Sequence, residues 1–461
     1  MQATLLLGFC GVLAVISYMM SPRVRTMQGF FRGYSDTGEA PGLFTLIFSQ
    51  VTTWIFARSL MNAGILGYFY GIGGALAYTA YYLSFLTGAW IVDGIRFRHG
   101  YGSVQDFLES RFGRLGGACY NFVAGVRLLS EVFANLLVIG IVFGETGSSA
   151  YTLAIVGVAV LTLGYSMMGG FRASLRTDVF QMSVLLVVLA VLLVQTLAAD
   201  GFAFPAIVTS SPEVSGPGWV LLAVALLQVW SYPLHDPVMM DRGLVADRQT
   251  TRRSFFHAWW LSSLCILVFG LLGVQAGLVR LEGEAMVATL MRIFGDTTML
   301  LFNAALILSA VSTLDSTFSS AAKLSIVDMR LAAPTPRNGR IAMACFFVGG
   351  LAFLFFGGKD LFAAVAVSGT ASMFLAPVIF FCIWGGRQVA SWAFAVAFAA
   401  AIGGAALYMV ESSGYLSLIE PVFGVMHKYS KLLIICIGVL AVGCGAFALA
   451  LKRDEARQPA H

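Results

Sequence analysis

Runs of about 20 apolar residues recur along the whole chain, and they restrict its fold more than any other feature. A helix rises about 1.5 Å per residue, so a run of that length crosses the hydrocarbon core of a bilayer. Thirteen runs read as spans: 3–20, 43–67, 72–95, 117–144, 150–169, 177–198, 217–241, 256–280, 297–325, 339–357, 360–384, 390–410 and 431–451. Of the 461 residues, 59% are hydrophobic and 11% are charged, too little polar surface to cover a water-soluble core of this size. The expectation is an all-α polytopic membrane protein, a single transmembrane domain over 1–461 embedded in lipid.

Orientation follows from the basic residues, which favour the cytoplasmic side. Only Met1 and Gln2 precede the first span, whereas Arg23 and Arg25 follow it. That pattern predicts a retained anchor with the N-terminus outside. The cytoplasmic side then holds Arg23, Arg25, Arg32, Arg96, Arg98, Arg111, Arg114, Arg172, Arg176, Arg242, Arg248, Arg252, Arg253, Arg330, Arg337, Arg340, Arg387, Lys452, Arg453 and Arg457, 20 of the 28 basic residues. Arg280, Arg292, Lys359, Lys428 and Lys431 fall outside, and Arg58, Arg127 and Lys323 lie within spans. The C-terminus is cytoplasmic on this reading. The net charge of +5 reports topology and gives no reason to expect nucleic-acid binding. All seven cysteines lie in or at the ends of apolar spans, without metal-ligand spacing, and read as small core residues.

Transporters built from two inverted repeats form their site on helices broken near the membrane midplane, at matching positions in the two halves. Span 217–241 contains Ser231-Tyr232-Pro233-Leu234-His235-Asp236-Pro237. Two prolines four residues apart remove two helix hydrogen bonds. Five spans earlier stands Phe48-Ser49-Gln50-Val51-Thr52-Thr53, rich in side chains that can re-satisfy an opened backbone. Residues 43–198 and 217–384 would then be the two repeats, with 3–20 and 390–451 peripheral.

With those features in place, the sequence resembles the sodium:solute symporter family. Tyr165-Ser166-Met167-Met168-Gly169-Gly170-Phe171-Arg172-Ala173 with Thr177-Asp178-Val179-Phe180-Gln181 looks like the family's Gly-Gly…Thr-Asp…Gln stretch. Ser312-Thr313-Leu314-Asp315-Ser316, then Ser319-Ser320 and Asp328, looks like its sodium-site helix. Asp236-Pro237 with Arg242 and Ala246-Asp247, and Ala366-Val367-Ser368-Gly369 with Ala371 and Pro377, match two further stretches. Asp315 stands where the family commonly has serine, and His235-Asp236 replaces a neutral pair. The resemblance implies a leucine-transporter-like five-plus-five core, alternating access, sodium coupling and a small-molecule solute. A bacterial-type inner membrane and a monomer are expected with it.

The resemblance also suggests site residues. A sodium ion is small and hard and takes about five or six oxygens. Ser312 and Thr313 would give hydroxyls, and Phe48, Val51 and Ser309 carbonyls. Asp178, Asp315 and Ser316 would form a second cation position. The local readings stay open beside these: hydroxyls also let helices pack closely, and Asp178 can cap a helix. Lys323, eight residues beyond Asp315, is expected to snorkel. The solute would lie near Gln50, Thr52, Thr53, Trp54, Arg127, His235 and Asp236. Arg127 can hold a carboxylate bidentately or merely pair with Glu131, i,i+4 on one helix. Arg58 can attract anions in an outer vestibule or snorkel. Asp236 can cap the half-helix that begins at Pro237 and still offer its other oxygen. His235 is expected to make transport depend on pH between about 5 and 8. Two other functions are compatible with parts of the sequence. A proton-coupled transporter of the same fold is suggested by Asp315, Asp236 and His235. A membrane-embedded enzyme or sensor would need a catalytic motif or a long soluble loop, and the sequence has neither HExxH nor Gly-x-Ser-x-Gly.

Overall fold

The computed structural model describes residues 2–199, 201–356, 361–414 and 417–452. The first half runs through α1 (Gln2–Met20), a short α2 (Met27–Arg32), α3 (Leu43–Trp54), α4 (Ala57–Ala80), α5 (Ser84–Val92), α6 (Val104–Phe112), α7 (Arg114–Phe143), α8 (Ser149–Gly169) and α9 (Phe171–Leu197). The second continues with α10 (Phe204–Val208), α11 (Pro217–Gln228), α12 (Pro237–Gly243), α13 (Arg248–Leu278), α14 (Met286–Lys323), α15 (Pro336–Phe356), α16 (Leu361–Ser372), α17 (Leu375–Pro377), α18 (Ser391–Ser413), α19 (Glu420–Phe423) and α20 (Lys428–Leu449). No strand occurs among the described residues beyond one isolated bridge, Val389 to Leu451. The expected span ends at 357 and 360, and Lys359, Arg453 and Arg457, lie outside the described residues.

Eight helices among the described residues are long and apolar enough to cross a membrane, and a bent pair, Ala366–Ser372 with Leu375–Trp384, makes a ninth. Several of the predicted spans are instead assembled from shorter pieces. The chain opens between α3 and α4 and again between α11 and α12, so neither crossing is one continuous helix.

The exterior is apolar and the interior carries the charges, the reverse of a water-soluble protein. Leu7, Val187, Val194 and Val348 are exposed, whereas Arg58, Arg127, Arg242, Asp178 and Asp315 are buried. Lipid is as apolar as these exposed side chains, so the helices associate through close packing. The contact of α4 with α13 shows how. A Cβ at Gly67 would lie 2.4 Å from the Gly270 carbonyl oxygen, and one at Gly273 would lie 2.0 Å from that of Gly64. Backbone meets backbone along this seam, and no larger residue fits. Between the predicted spans 43–67 and 72–95 the chain turns at Gly71, whose φ of +60° suits glycine; an added Cβ there would sit 2.5 Å from the Ser210 carbonyl oxygen.

Three sequence expectations are corrected here. Arg242 was counted with the cytoplasmic charges, but it is buried within α12, drawn inward by acceptors on three other helices. Lys323 does not snorkel; it is held at 2.7 Å from Asp241 and 3.0 Å from Asp328. Two carboxylates inside the protein outcompete the membrane surface for its ammonium. Cys345 is exposed, and Cys10 and Cys444 are half-buried, so these three are not core residues.

Candidate functional site

The first break is made by tertiary partners. Helix α3 runs past the expected opening at Phe48–Thr53: Ile55 N–H still donates to the Val51 carbonyl at 3.0 Å. Only Ile55 and Phe56 leave the helical conformation. The backbone groups freed there meet side chains from distant helices. Tyr82 OH donates to the Trp54 carbonyl at 2.9 Å, and Ser309 Oγ donates to the Ile55 carbonyl. Ala57 N–H donates to Asn135 Oδ1 at 3.0 Å. An unmet backbone group inside a membrane protein costs several kcal/mol, so these three contacts make the opening tenable.

The second break, 229–236, is shaped by its prolines. Thr87 Oγ1 donates to the Val229 carbonyl at 2.6 Å and Tyr120 OH to the Leu234 carbonyl at 2.9 Å. Asp236 caps α12 through Oδ1, which accepts from Met239 N–H at 3.1 Å. Its Oδ2 is not left over for another partner: it accepts from Trp54 Nε1 at 2.8 Å and from Arg127 Nη2 at 2.9 Å. Asp236 therefore ties the two breaks together. His235 is buried, with Nδ1 2.5 Å from the Tyr232 carbonyl and Nε2 3.1 Å from Ser368 Oγ. A carbonyl only accepts, which assigns the proton to Nδ1 and leaves Nε2 to accept from Ser368.

Arg127 is doubly paired. Its Nη2 lies 2.9 Å from Asp236 and 2.7 Å from Glu131 Oε1. The Glu131 contact is close in distance, but that oxygen receives no aligned hydrogen bond; Oε2 accepts from Thr317 Oγ1 at 3.0 Å. Gln50 is buried, and neither atom of its amide has a hydrogen-bond partner. Thr53 bonds back to the Ser49 carbonyl within its own helix at 2.7 Å.

On the other side of α3 lies a buried ionic cluster that joins the two expected cation positions. Asp178 is not an N-cap, because α9 begins at Phe171. Its Oδ2 accepts from Ser49 Oγ at 2.5 Å and Arg242 Nη2 at 3.2 Å; its Oδ1 accepts from Ser312 Oγ at 3.1 Å. Ser312 also lies 3.0 Å from Thr52 Oγ1. Asp315 accepts from Tyr165 OH and Thr177 Oγ1, both at 2.8 Å, from Ser174 Oγ at 3.0 Å and from Ser316 Oγ at 3.2 Å. Ser174 reaches Asp178 as well, at 3.3 Å. Arg242 binds Ser49 at 2.6 Å and Ser316 at 2.8 Å and stacks over Phe171. Thr313 Oγ1 is buried without a hydrogen-bond partner. Phe48 is half-buried, its ring against Phe44 at 4.2 Å.

Sequence reasoning named Asp178, Asp315, Ser312 and Ser316, and the structure brings them together. It did not assign site roles to Arg242, Ser49, Ser174, Thr177 or Tyr165. The available signal for Arg242 was its position six residues after Asp236, on the far side of the proline break.

No family model matches the chain, and no curated protein matches its sequence. Its structure is similar to that of a Na+-coupled sialic acid symporter solved in a substrate-bound outward-open state and described as revealing a novel Na+ site. The TM-score is 0.70 at 14% identity, over 98% of each chain. It is also similar to Mhp1, a nucleobase-cation-symport-1 family transporter in a closed conformation with bromovinylhydantoin bound, with a TM-score of 0.58 at 16% identity over 93% of this chain and 94% of that one. At these identities the likeness establishes the fold: the chain has the all-helical, leucine-transporter-like architecture of membrane transporters.

Proposed function

We propose that the chain is a sodium-coupled secondary active symporter of the sodium:solute symporter type, carrying a small polar or anionic solute by alternating access. The observation that carries this reading is the buried cluster of Asp178 and Asp315 around the single guanidinium of Arg242. With both carboxylates ionised, the cluster holds one negative charge in excess. Buried charge is costly unless compensated, and a monovalent cation compensates it. Beside it, Thr313 offers a buried hydroxyl with no hydrogen-bond partner among the described residues. Ser312 and Thr313, with the carbonyls of Phe48, Val51 and Ser309, are the oxygens assigned to sodium; Asp178, Asp315 and Ser316 hold the second position.

These groups come from α3, α9 and α14, which belong to both proposed repeats. An ion bridging them favours the conformation in which they approach, to the extent that it binds that form more tightly. The rest of the reading comprises thirteen crossings, repeats over 43–198 and 217–384, the N-terminus outside, the C-terminus inside, a bacterial-type inner membrane and a monomer.

Proton coupling is the second reading. Its support is Ser174, whose Oγ lies within hydrogen-bond distance of both Asp178 and Asp315, so the acids are near enough for one proton to replace the cation. Melting temperatures of the purified protein in sodium and in choline, across pH, separate the two. Sodium is expected to raise the wild-type value, and Ser312→Ala with Thr313→Ala to abolish the rise. Equal wild-type values in both salts would overturn sodium coupling.

A further inference from the structure

The two guanidinium groups beside the first break differ in how they are matched. Arg127 holds both nearby carboxylates, Glu131 and Asp236, on one nitrogen. Arg58, two residues after the break, is fully buried, and Nε, Nη1 and Nη2 all lack a hydrogen-bond partner. It does not snorkel. Its guanidinium lies over the face of Phe56, 4.9 Å from the ring centroid, and within electrostatic range of the Glu131 carboxylate. A cation over an aromatic ring gains on the order of 1 kcal/mol, far less than the cost of burying the charge.

The guanidinium lines a cavity of about 20 Å³ with Trp54, Phe56, Tyr78, Tyr81 and Tyr232. Trp54 and Tyr232 stand edge to face at 5.7 Å, one from each break. The cavity is therefore a junction between the two broken helices, walled by rings and supplied with unpartnered N–H donors. Its present size suits about one water, so a larger ligand requires the rings to part.

We infer that Arg58 is an anion subsite of the solute pathway, taking the carboxylate of an organic monoanion whose apolar part rests on the aromatic wall; this rests on the transporter reading above. Arg127 is the positioning residue: it takes the direct contacts of Asp236 and Glu131, which leaves the N–H groups of Arg58 without a carboxylate hydrogen bond. The forked N–H geometry of Arg58 suits a carboxylate, and a lysine there would keep the charge without the fork.

The test titrates purified wild type and Arg58→Gln with the sodium salts of bromide, formate, acetate, benzoate and phenylacetate. Sodium concentration is held constant with sodium sulfate, and melting temperature is read. A carboxylate is expected to stabilise the wild type saturably, aromatic ones best. Arg58→Gln should weaken its apparent affinity at least about tenfold, the scale of a lost charge-assisted hydrogen bond, and Arg58→Lys should fall between. Arg58→Gln should melt within a few degrees of wild type without added monoanion, since the substitution breaks no hydrogen bond. A variant that melts far lower would make Arg58 a structural residue and overturn the inference. So would equal anion responses in the two proteins, and so would a response to bromide alone, which would mark a halide site. The sodium-against-choline shift, measured on the same samples, is expected to survive in Arg58→Gln. Its absence from the wild type would overturn the coupling reading separately.

Discussion

The two broken spans reach the same shape by different means. At 229–236 the chain carries its own instruction: Pro233 and Pro237 cannot complete the helix ladder, and Asp236 caps the helix that follows. At Ile55–Phe56 there is no proline and no local cap. The opening depends on Tyr82, Ser309 and Asn135, contributed by three other parts of the chain. One break is written locally and the other is imposed. The imposed break is the more exposed to loss of a single distant side chain.

The largest expected effect is at the link between the breaks. Arg127→Met leaves Glu131 and Asp236 buried without their cation, and about 3–5 kcal/mol of stability should be lost. Unfolding in detergent measures this, and a loss below about 1 kcal/mol would mean that the breaks are not coupled through Arg127. Next comes Asn135→Ala, which strands the Ala57 N–H and should cost about 1–3 kcal/mol. Tyr82→Phe strands the Trp54 carbonyl in the same way and should also cost about 1–3 kcal/mol. Pro233→Ala should cost less than about 1 kcal/mol, because Pro237 and the Asp236 cap still terminate the ladder. If Pro233→Ala proved as damaging as Asn135→Ala in the same assay, the contrast between a local and an imposed break would fail. The smallest effect concerns His235. Both ring nitrogens are engaged within the protein, so uptake in His235→Gln should follow the wild-type pH profile between pH 5 and 8. A profile flattened by the substitution would restore histidine to the coupling mechanism.

The candidate cation cluster was legible in part. Asp315 was conspicuous because a carboxylate in the middle of an apolar run is rare, and the Ser312-Thr313 pair stood next to it. Arg242 was hidden by the rule that helped elsewhere, since an arginine near the end of a span counts as a loop charge until its depth is known. Asp178 looked like a cap because the break after Gly169 was placed several residues too late; α9 starts at Phe171, which puts Asp178 two turns inside. Arg127 was expected at the solute and Arg58 in an outer vestibule or at the membrane surface; the structure pairs Arg127 with two acids and buries Arg58 beside the first break.

Hydrophobic run length, the bias of basic residues and the paired prolines are properties of short windows. They determined by themselves that the chain is helical, that it belongs in a bilayer and that its seventh apolar segment is interrupted. The tertiary structure alone decided where the second apolar segment opens, which arginine is hydrogen-bonded to a carboxylate and which is not, and that Asp178, Ser312, Asp315 and Ser316 form one cluster. Those outcomes depend on which donor or acceptor a distant helix brings within about 3 Å. A linear sequence does not carry that distance, and inside a membrane, where no water stands ready to satisfy a buried group, it governs the result.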